Sequence, residues 1–223
     1  MIPVVWVFFI FNVLMFTQID EEKFIIEVFD NLIKNFPNKI SNTILDIGAN
    51  DGITLSNTRA LILKYPELQC YFVEPNPICN NKLKSVYDKP QYKIYDFAIG
   101  DYEGSSDLYC NGSHITENDN GLLSTIIKEE TKRWGNKEKW ELVKVDVKKY
   151  PFHDIHFDFI SIDAEGMDEA ILKQIDLSKT YILCIEWNSK HESFLEIDSY
   201  CRKFSMELLH KNSTNLIYNK YPK

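Results

Sequence analysis

The chain has 223 residues, 33 of them acidic and 25 basic, for a formal net charge of −8. Its 44% hydrophobic and 26% charged content is that of an ordinary globular protein able to bury a sizeable core, which excludes disordered, collagen-like and coiled-coil classes. The densest basic stretch, Lys128 to Lys149, is interleaved with Glu129, Glu130, Glu138, Glu141 and Asp146, so no basic face is available to neutralise nucleic-acid phosphates.

Met1 to Ile19 carries no charge, and Ile2 to Phe16 is apolar apart from Asn12. The run is shorter than the ~20 residues of a spanning helix. It also lacks the basic start and small-residue cleavage site of a secretory signal. Three readings stay open: a signal-anchor or interfacial segment, a segment packed on the domain, or an extension outside the fold. Cysteines stand at 70, 79, 110, 184 and 201, an odd count with no C-x-x-C pair, so neither a disulfide framework nor a zinc site is expected. A reducing compartment follows. The expected location is cytoplasmic, with membrane association through residues 1–19 as one of the open readings.

From Glu22 to Phe36, Phe24, Ile25, Val28, Phe29, Leu32 and Ile33 recur at helical spacing. Thr43 to Ile47 is a short apolar strand entering a glycine loop, and Thr54 to Lys64 reads as the helix behind it, ended by Pro66. Cys70 to Val73 is a second strand, followed by Pro75, Pro77 and a helix to Tyr87; Tyr92 to Ile99 is a third. Gly100 to Gly121 is rich in Gly, Asn, Asp and Ser and reads as loop with at most a short strand. Phe157 to Ile162 is a strongly apolar strand, Met167 to Ile175 a helix, Tyr181 to Ile185 a strand and His191 to Phe204 a helix. Met206 to Leu209 and Leu216 to Tyr218 flank Asn212 to Asn215 as an antiparallel hairpin. This alternation predicts a three-layer α/β fold, a mostly parallel sheet with helices on both faces and an antiparallel C-terminal strand.

In such sheets ligands bind beyond the carboxyl ends of the strands. The first strand ends in Asp46-Ile47-Gly48-Ala49-Asn50-Asp51-Gly52, whose glycines allow a tight turn and close backbone approach to a ligand. The second ends in Glu74, where two carboxylate oxygens match the two hydroxyls of a ribose. The third ends near Asp96, Phe97 and Ala98, the fourth in Asp163-Ala164-Glu165-Gly166 and the fifth in Glu186-Trp187-Asn188. Carboxylates crowded at one crevice repel one another unless a cation, a proton or donor hydroxyls relieve them, so a nucleoside carrying a positive centre suits the place.

Four stretches together resemble the FkbM-type methyltransferases: Ile44 to Gly52, Val73 to Pro77, Ala98 to Asp101 and Asp158 to Gly166. The likeness covers roughly residues 40 to 190 and is most specific from Asp158 into the following helix. It implies a Rossmann-like class I fold with seven strands over residues 20–223, S-adenosylmethionine as cofactor, and O-methylation of a hydroxyl on a sugar, glycan or small natural product. It implies, too, that the cofactor's methionine part lies against Asp46, Gly48, Ala49, Asn50, Asp51 and Gly52, its ribose on Glu74, and its adenine near Asp96, Phe97 and Ala98. Asp163 or Glu165 is the expected catalytic base, with Glu186 and His191 as substitutes and His114 as an acceptor contact. Acceptor specificity is expected from Asn111 to Asn120 and around Trp134 and Trp140. No metal is expected, although Asp163, Glu165 and Glu186 are of the type that holds magnesium. The rival readings are a nicotinamide-dependent Rossmann oxidoreductase, against which Asn50 stands where that fingerprint needs glycine, and a catalytically silent membrane-tethered binding domain.

Overall fold

A computed structural model describes residues 16–111, 121–134, 140–187 and 189–222. Helix α1 (Glu21–Asn35) leads into strand β1 (Thr43–Ile47), helix α2 (Arg59–Lys64), β2 (Gln69–Val73), α3 (Pro77–Val86), β3 (Tyr92–Tyr95), β4 (Ala98–Ile99) and β5 (Gly104–Asn111). Then come β6 (Trp140–Lys148), β7 (Phe159–Ile162), α4 (Asp168–Leu172), β8 (Ile182–Glu186), α5 (His191–Lys203), β9 (Glu207–Lys211) and β10 (Asn215–Asn219).

The main sheet has seven strands in the order β3-β2-β1-β7-β8-β10-β9. The first five run parallel, and β10 pairs antiparallel with both β8 and β9. Every residue of β1, β7 and β8 is buried, because helices cover both faces and leave no polar side to the strand. One apolar core lies under α1, α2 and α3, where Ile25, Phe29 and Leu32 meet Leu61, Leu83 and Phe72. The other lies under α4 and α5, where Ile171, Leu172, Ile197 and Cys201 meet Ile160, Ile162 and Ile185. After β1 the chain winds outward to β3, then returns to β7 on the other side of β1, so the order reverses between β1 and β7. A crevice opens at such a point.

The expected α/β class, sheet and C-terminal hairpin are found, with local differences. The helix expected from Thr54 begins only at Arg59. Asp51 Oδ1 accepts the N–H groups of Ile53 and Thr54, and Ser56 Oγ accepts those of Thr58 and Arg59. These side chains take donors that a helix would need, and Leu55 sits at φ 54°. The expected third strand divides. Tyr92–Tyr95 stays in the main sheet, while Phe97 turns into an aromatic cluster with Tyr95 and Phe152, and Ala98–Ile99 joins β6 in a second sheet. The stretch expected to be loop instead forms β5, paired antiparallel with β6 along its length. Its period-two signal is weak because chiefly Leu108 packs inward, against Val145 and Val147.

The expectation of a cytoplasmic protein with membrane association through residues 1–19 is corrected. Among the described residues no helix is long and apolar enough to cross a membrane. Residues 1–15 lie outside the described residues. The end of the stretch is non-helical chain fastened to the domain: Glu22 Oε2 accepts the Phe16 N–H at 2.9 Å, and Glu21 Oε2 that of Ile19 at 2.9 Å.

Candidate active site

The carboxyl ends of β1, β2, β7 and β8 carry Asp46, Glu74, Asp163 and Glu186, and all four line one cavity of about 550 Å³. The first loop crosses the end of β7 closely. Gly48 has φ 79°, its N–H donates to the Val73 carbonyl at 2.9 Å, and a Cβ there would collide with the Asp163 carbonyl oxygen. Only glycine meets both demands. The Glu74 carboxylate is fixed from two sides: Oε2 accepts the Asn50 N–H at 2.8 Å and Oε1 the Asn76 N–H at 2.7 Å. Asp46 Oδ2 accepts from Thr58 Oγ1 at 2.6 Å.

The turn after β7 is held in an unusual conformation. Glu165 lies at φ 42°, a left-handed region that a long side chain rarely adopts. Asp168 Oδ1 accepts the Ala164 N–H at 2.8 Å, its Oδ2 accepts the Gly166 N–H at 3.1 Å, and Thr125 Oγ1 donates to the Glu165 carbonyl at 2.7 Å. The result is a Glu165 only 7% exposed, lining the cavity, whose Oε2 has no hydrogen-bond partner.

These acids are poised to hold protons. Burial pushes Asp46 up to about 6 against its bonds from Thr58 and Ser161. Burial pushes Glu74 up to about 7, with the Asn76 and Asn50 N–H groups opposing and the charges of Asp46 and Asp51 adding. Burial, then the charges of Asp168 and Asp46, raise Asp163 to about 7. Glu165 lies well above its ordinary range through burial and the neighbouring Asp163 and Asp168, with Arg133 opposing. Groups near neutral pKa in a concave site suit proton transfer.

Asp46, Gly48, Ala49, Asn50, Glu74, Ala98, Asp163 and Glu165 of the expected set line the cavity, as does Glu186. Asp51, Gly52, Asp96, Phe97 and His191 do not line it. Asp51 caps the loop, and Gly52 receives the Tyr87 hydroxyl on its carbonyl at 2.8 Å. Asp96 is exposed, Phe97 is packed in the core under Lys148, and His191 opens α5 on the surface. His114, Asn188 and residues 112–120 lie outside the described residues; Trp140 opens β6. Sequence reasoning missed the wall built by Leu122, Leu123, Thr125 and Ile126, and the contribution of Gln18 and Ile19 at the mouth. The apolar pair Leu122-Leu123 closing a polar stretch was the one available signal for the wall.

Residues 46–207 match the family model of the methyltransferase FkbM domain. No curated protein matches the sequence. Among solved structures, the N-terminal domain of human METTL16 in complex with SAH is 13% identical with a TM-score of 0.46, covering 91% of this chain and 70% of that one. A SAM-dependent methyltransferase of Leishmania major is 13% identical with a TM-score of 0.42, covering 89% and 72%. The precorrin-6y C5,15-methyltransferase of Geobacter metallireducens is 9% identical with a TM-score of 0.40, covering 81% and 80%.

Proposed function

Because the chain belongs to the FkbM methyltransferase family, and so is an S-adenosylmethionine-dependent methyltransferase, we propose that it methylates a hydroxyl oxygen of a sugar, glycan or small natural product. The observation that carries the hydroxyl is the pair Asp163 and Glu165, two carboxylates of raised proton affinity at one wall of the cavity, one of them with an unpartnered buried oxygen. An alcohol gains from a base as its proton leaves, whereas a more acidic acceptor needs none. The family membership sets aside the nicotinamide-dependent oxidoreductase.

The residues present fit the cofactor. Glu74 is a buried carboxylate fixed by two N–H groups, with its remaining lone pairs available to ribose hydroxyls. The Gly48 turn, Ala49 and Asn50 form a cradle that a side chain at position 48 would fill, beside Asp46. Ala98, small and at the cavity wall, suits an adenine face. In this reading Asp51 and Gly52 shape the loop from behind, and Asp96 and Phe97 support the adenine end indirectly. When bound, S-adenosylmethionine supplies the methyl group as an activated sulfonium.

The protein's own work is to position the acceptor, exclude water and take a proton. A carboxylate oxygen of either Asp163 or Glu165, in its deprotonated form, receives the one hydroxyl proton. The wall from Leu122 to Ile126 keeps water out. Residues 20–223 act as one methyltransferase domain. Supporting this, Glu21 Oε1 at the start of α1 accepts the side-chain amides of Asn212 and Asn215 at 2.8 Å each, closing the first helix onto the last hairpin.

The test is calorimetric titration of the protein with S-adenosylhomocysteine and NAD, followed by acceptor screening with mass detection of a single added methyl. Binding of the sulfur nucleoside and methyl ethers as products are expected. Methylation found solely on nitrogen or carbon would sink the hydroxyl assignment.

A further inference from the structure

We propose that Asp163, Glu165 and Glu186 bind one hard divalent cation, such as magnesium or manganese, at the carboxyl ends of β7 and β8. Each offers a carboxylate oxygen, and the three oxygens lie within 4.8 Å of one another. Oxygens on opposite sides of an ion that binds them at ~2.4 Å stand about that far apart, and the smaller magnesium needs only slight closure. The donor set is all oxygen, with neither imidazole nor thiolate, which selects hard ions over zinc or copper.

A second observation points to a ligand. Glu165 is 7% exposed and its Oε2 has no hydrogen-bond partner, an arrangement a buried carboxylate does not tolerate without a proton or a cation. The backbone is bent to put it there: its φ of 42° is maintained by Asp168 and Thr125, as described above. Glu186 is 4% exposed at the end of a wholly buried strand. Lys190 Nζ lies 3.3 Å from Glu130 Oε1, and Arg133, which lines the cavity, lies 3.7 Å from Glu130 Oε2.

All three residues line the cavity, so positions left open on the ion face the space where the acceptor would sit. Acceptors with two adjacent oxygens, vicinal diols or hydroxy acids, would then be favoured. This role rests on the methyl-transfer reading; the ion site does not.

The test uses the whole chain and manganese(II) alone, followed by electron paramagnetic resonance. One manganese per chain, displaced by magnesium, is expected, with affinity weakened about tenfold or more in Glu165→Gln and in Glu186→Gln as ligand charge is lost. Glu67→Gln, at the opposite end of the sheet, should leave binding unchanged. Melting curves in chelator check that each variant folds, and both amide variants should melt at or above the unsubstituted protein because a repulsion is removed. Absence of stoichiometric manganese, or binding that neither substitution weakens, overturns the site: a shared proton then does the neutralising. Titration with S-adenosylhomocysteine in chelator separates the two readings. Nucleoside binding without manganese binding removes the ion and leaves methyl transfer. Manganese binding without nucleoside binding supports the ion and removes the role given to it. If neither binds, both fall.

Discussion

Glu74 and Asn50 join the ends of two neighbouring strands: a buried side-chain oxygen of the first accepts the main-chain N–H of the second at 2.8 Å. The carboxylate is therefore aimed before any ligand arrives, and little ordering remains to be done on binding. Glu74→Ala removes the aim and the acceptor together. With hydrogen bonds to a charged group worth about 2 kcal/mol, S-adenosylhomocysteine should bind ~30-fold or more weakly in calorimetry. Undiminished affinity would remove Glu74 from ribose binding.

Asp46, Glu74 and Asp163 are raised to about 6, 7 and 7 by burial, from ordinary values of 3.8, 4.5 and 3.8. Between the ordinary and the raised values the folded state holds more protons than the unfolded one, so these groups stabilise at low pH and that contribution is lost as pH rises. The ligand-free protein should melt at a lower temperature at pH 8 than at pH 5. Glu74→Gln should flatten the slope. A melting temperature that climbs over this range would contradict the assignment.

Asp163→Asn and Glu165→Gln should each lower turnover by about 10²-fold, the usual worth of a general base, while leaving S-adenosylhomocysteine affinity within a few-fold. Full turnover in either variant excludes that residue from proton transfer.

Gly48→Ala combines a left-handed backbone with a collision against main-chain atoms of Asp163. Strain and overpacking each contribute about 1–3 kcal/mol, so a loss of ~3 kcal/mol and a melting temperature about 10 °C lower are expected. A variant melting with the parent would mean that the loop shifts freely.

Glu21 is fully buried, and although burial raises it, the amides of Asn215 and Asn212 and the Ile19 N–H outweigh that and hold it below its ordinary range. Glu21→Ala strands those donors, at about 1–3 kcal/mol for each one left buried and unpaired. Thermal melting should register the loss, and hydrogen exchange at Ile19 should quicken. An unchanged exchange rate there would show that something other than Glu21 fastens the mouth of the cavity.

What could be seen in advance follows a physical divide. Asp46, Glu74, Asp163 and Glu186 were legible because short, largely apolar strands mark their own ends, and a parallel sheet gathers those ends on one side. The Leu122–Ile126 wall was not, because nothing local dictates it; Thr125 is located by its hydroxyl bond to the carbonyl of Glu165, forty positions away. The place of Gln18 and Ile19 depends likewise on Glu21 meeting Asn212 and Asn215 at the far end of the chain. Asp96 and Phe97 misled for the opposite reason. A run rich in aromatic and β-branched residues such as Tyr92 to Ile99 looks like one strand even when an aromatic cluster divides it between two sheets.

The position of β10 has a consequence for how the molecule comes into being. It lies between β8 and β9, and of the seven strands it is the last to leave the ribosome. Until Asn215–Asn219 emerge, β8 keeps an open edge of unpaired main-chain groups and α1 lacks the amide that anchors its first turn. From the emergence of β8 until β10 follows it, the nascent chain therefore carries a reactive sheet edge, and pairing with another chain is the hazard of that late interval.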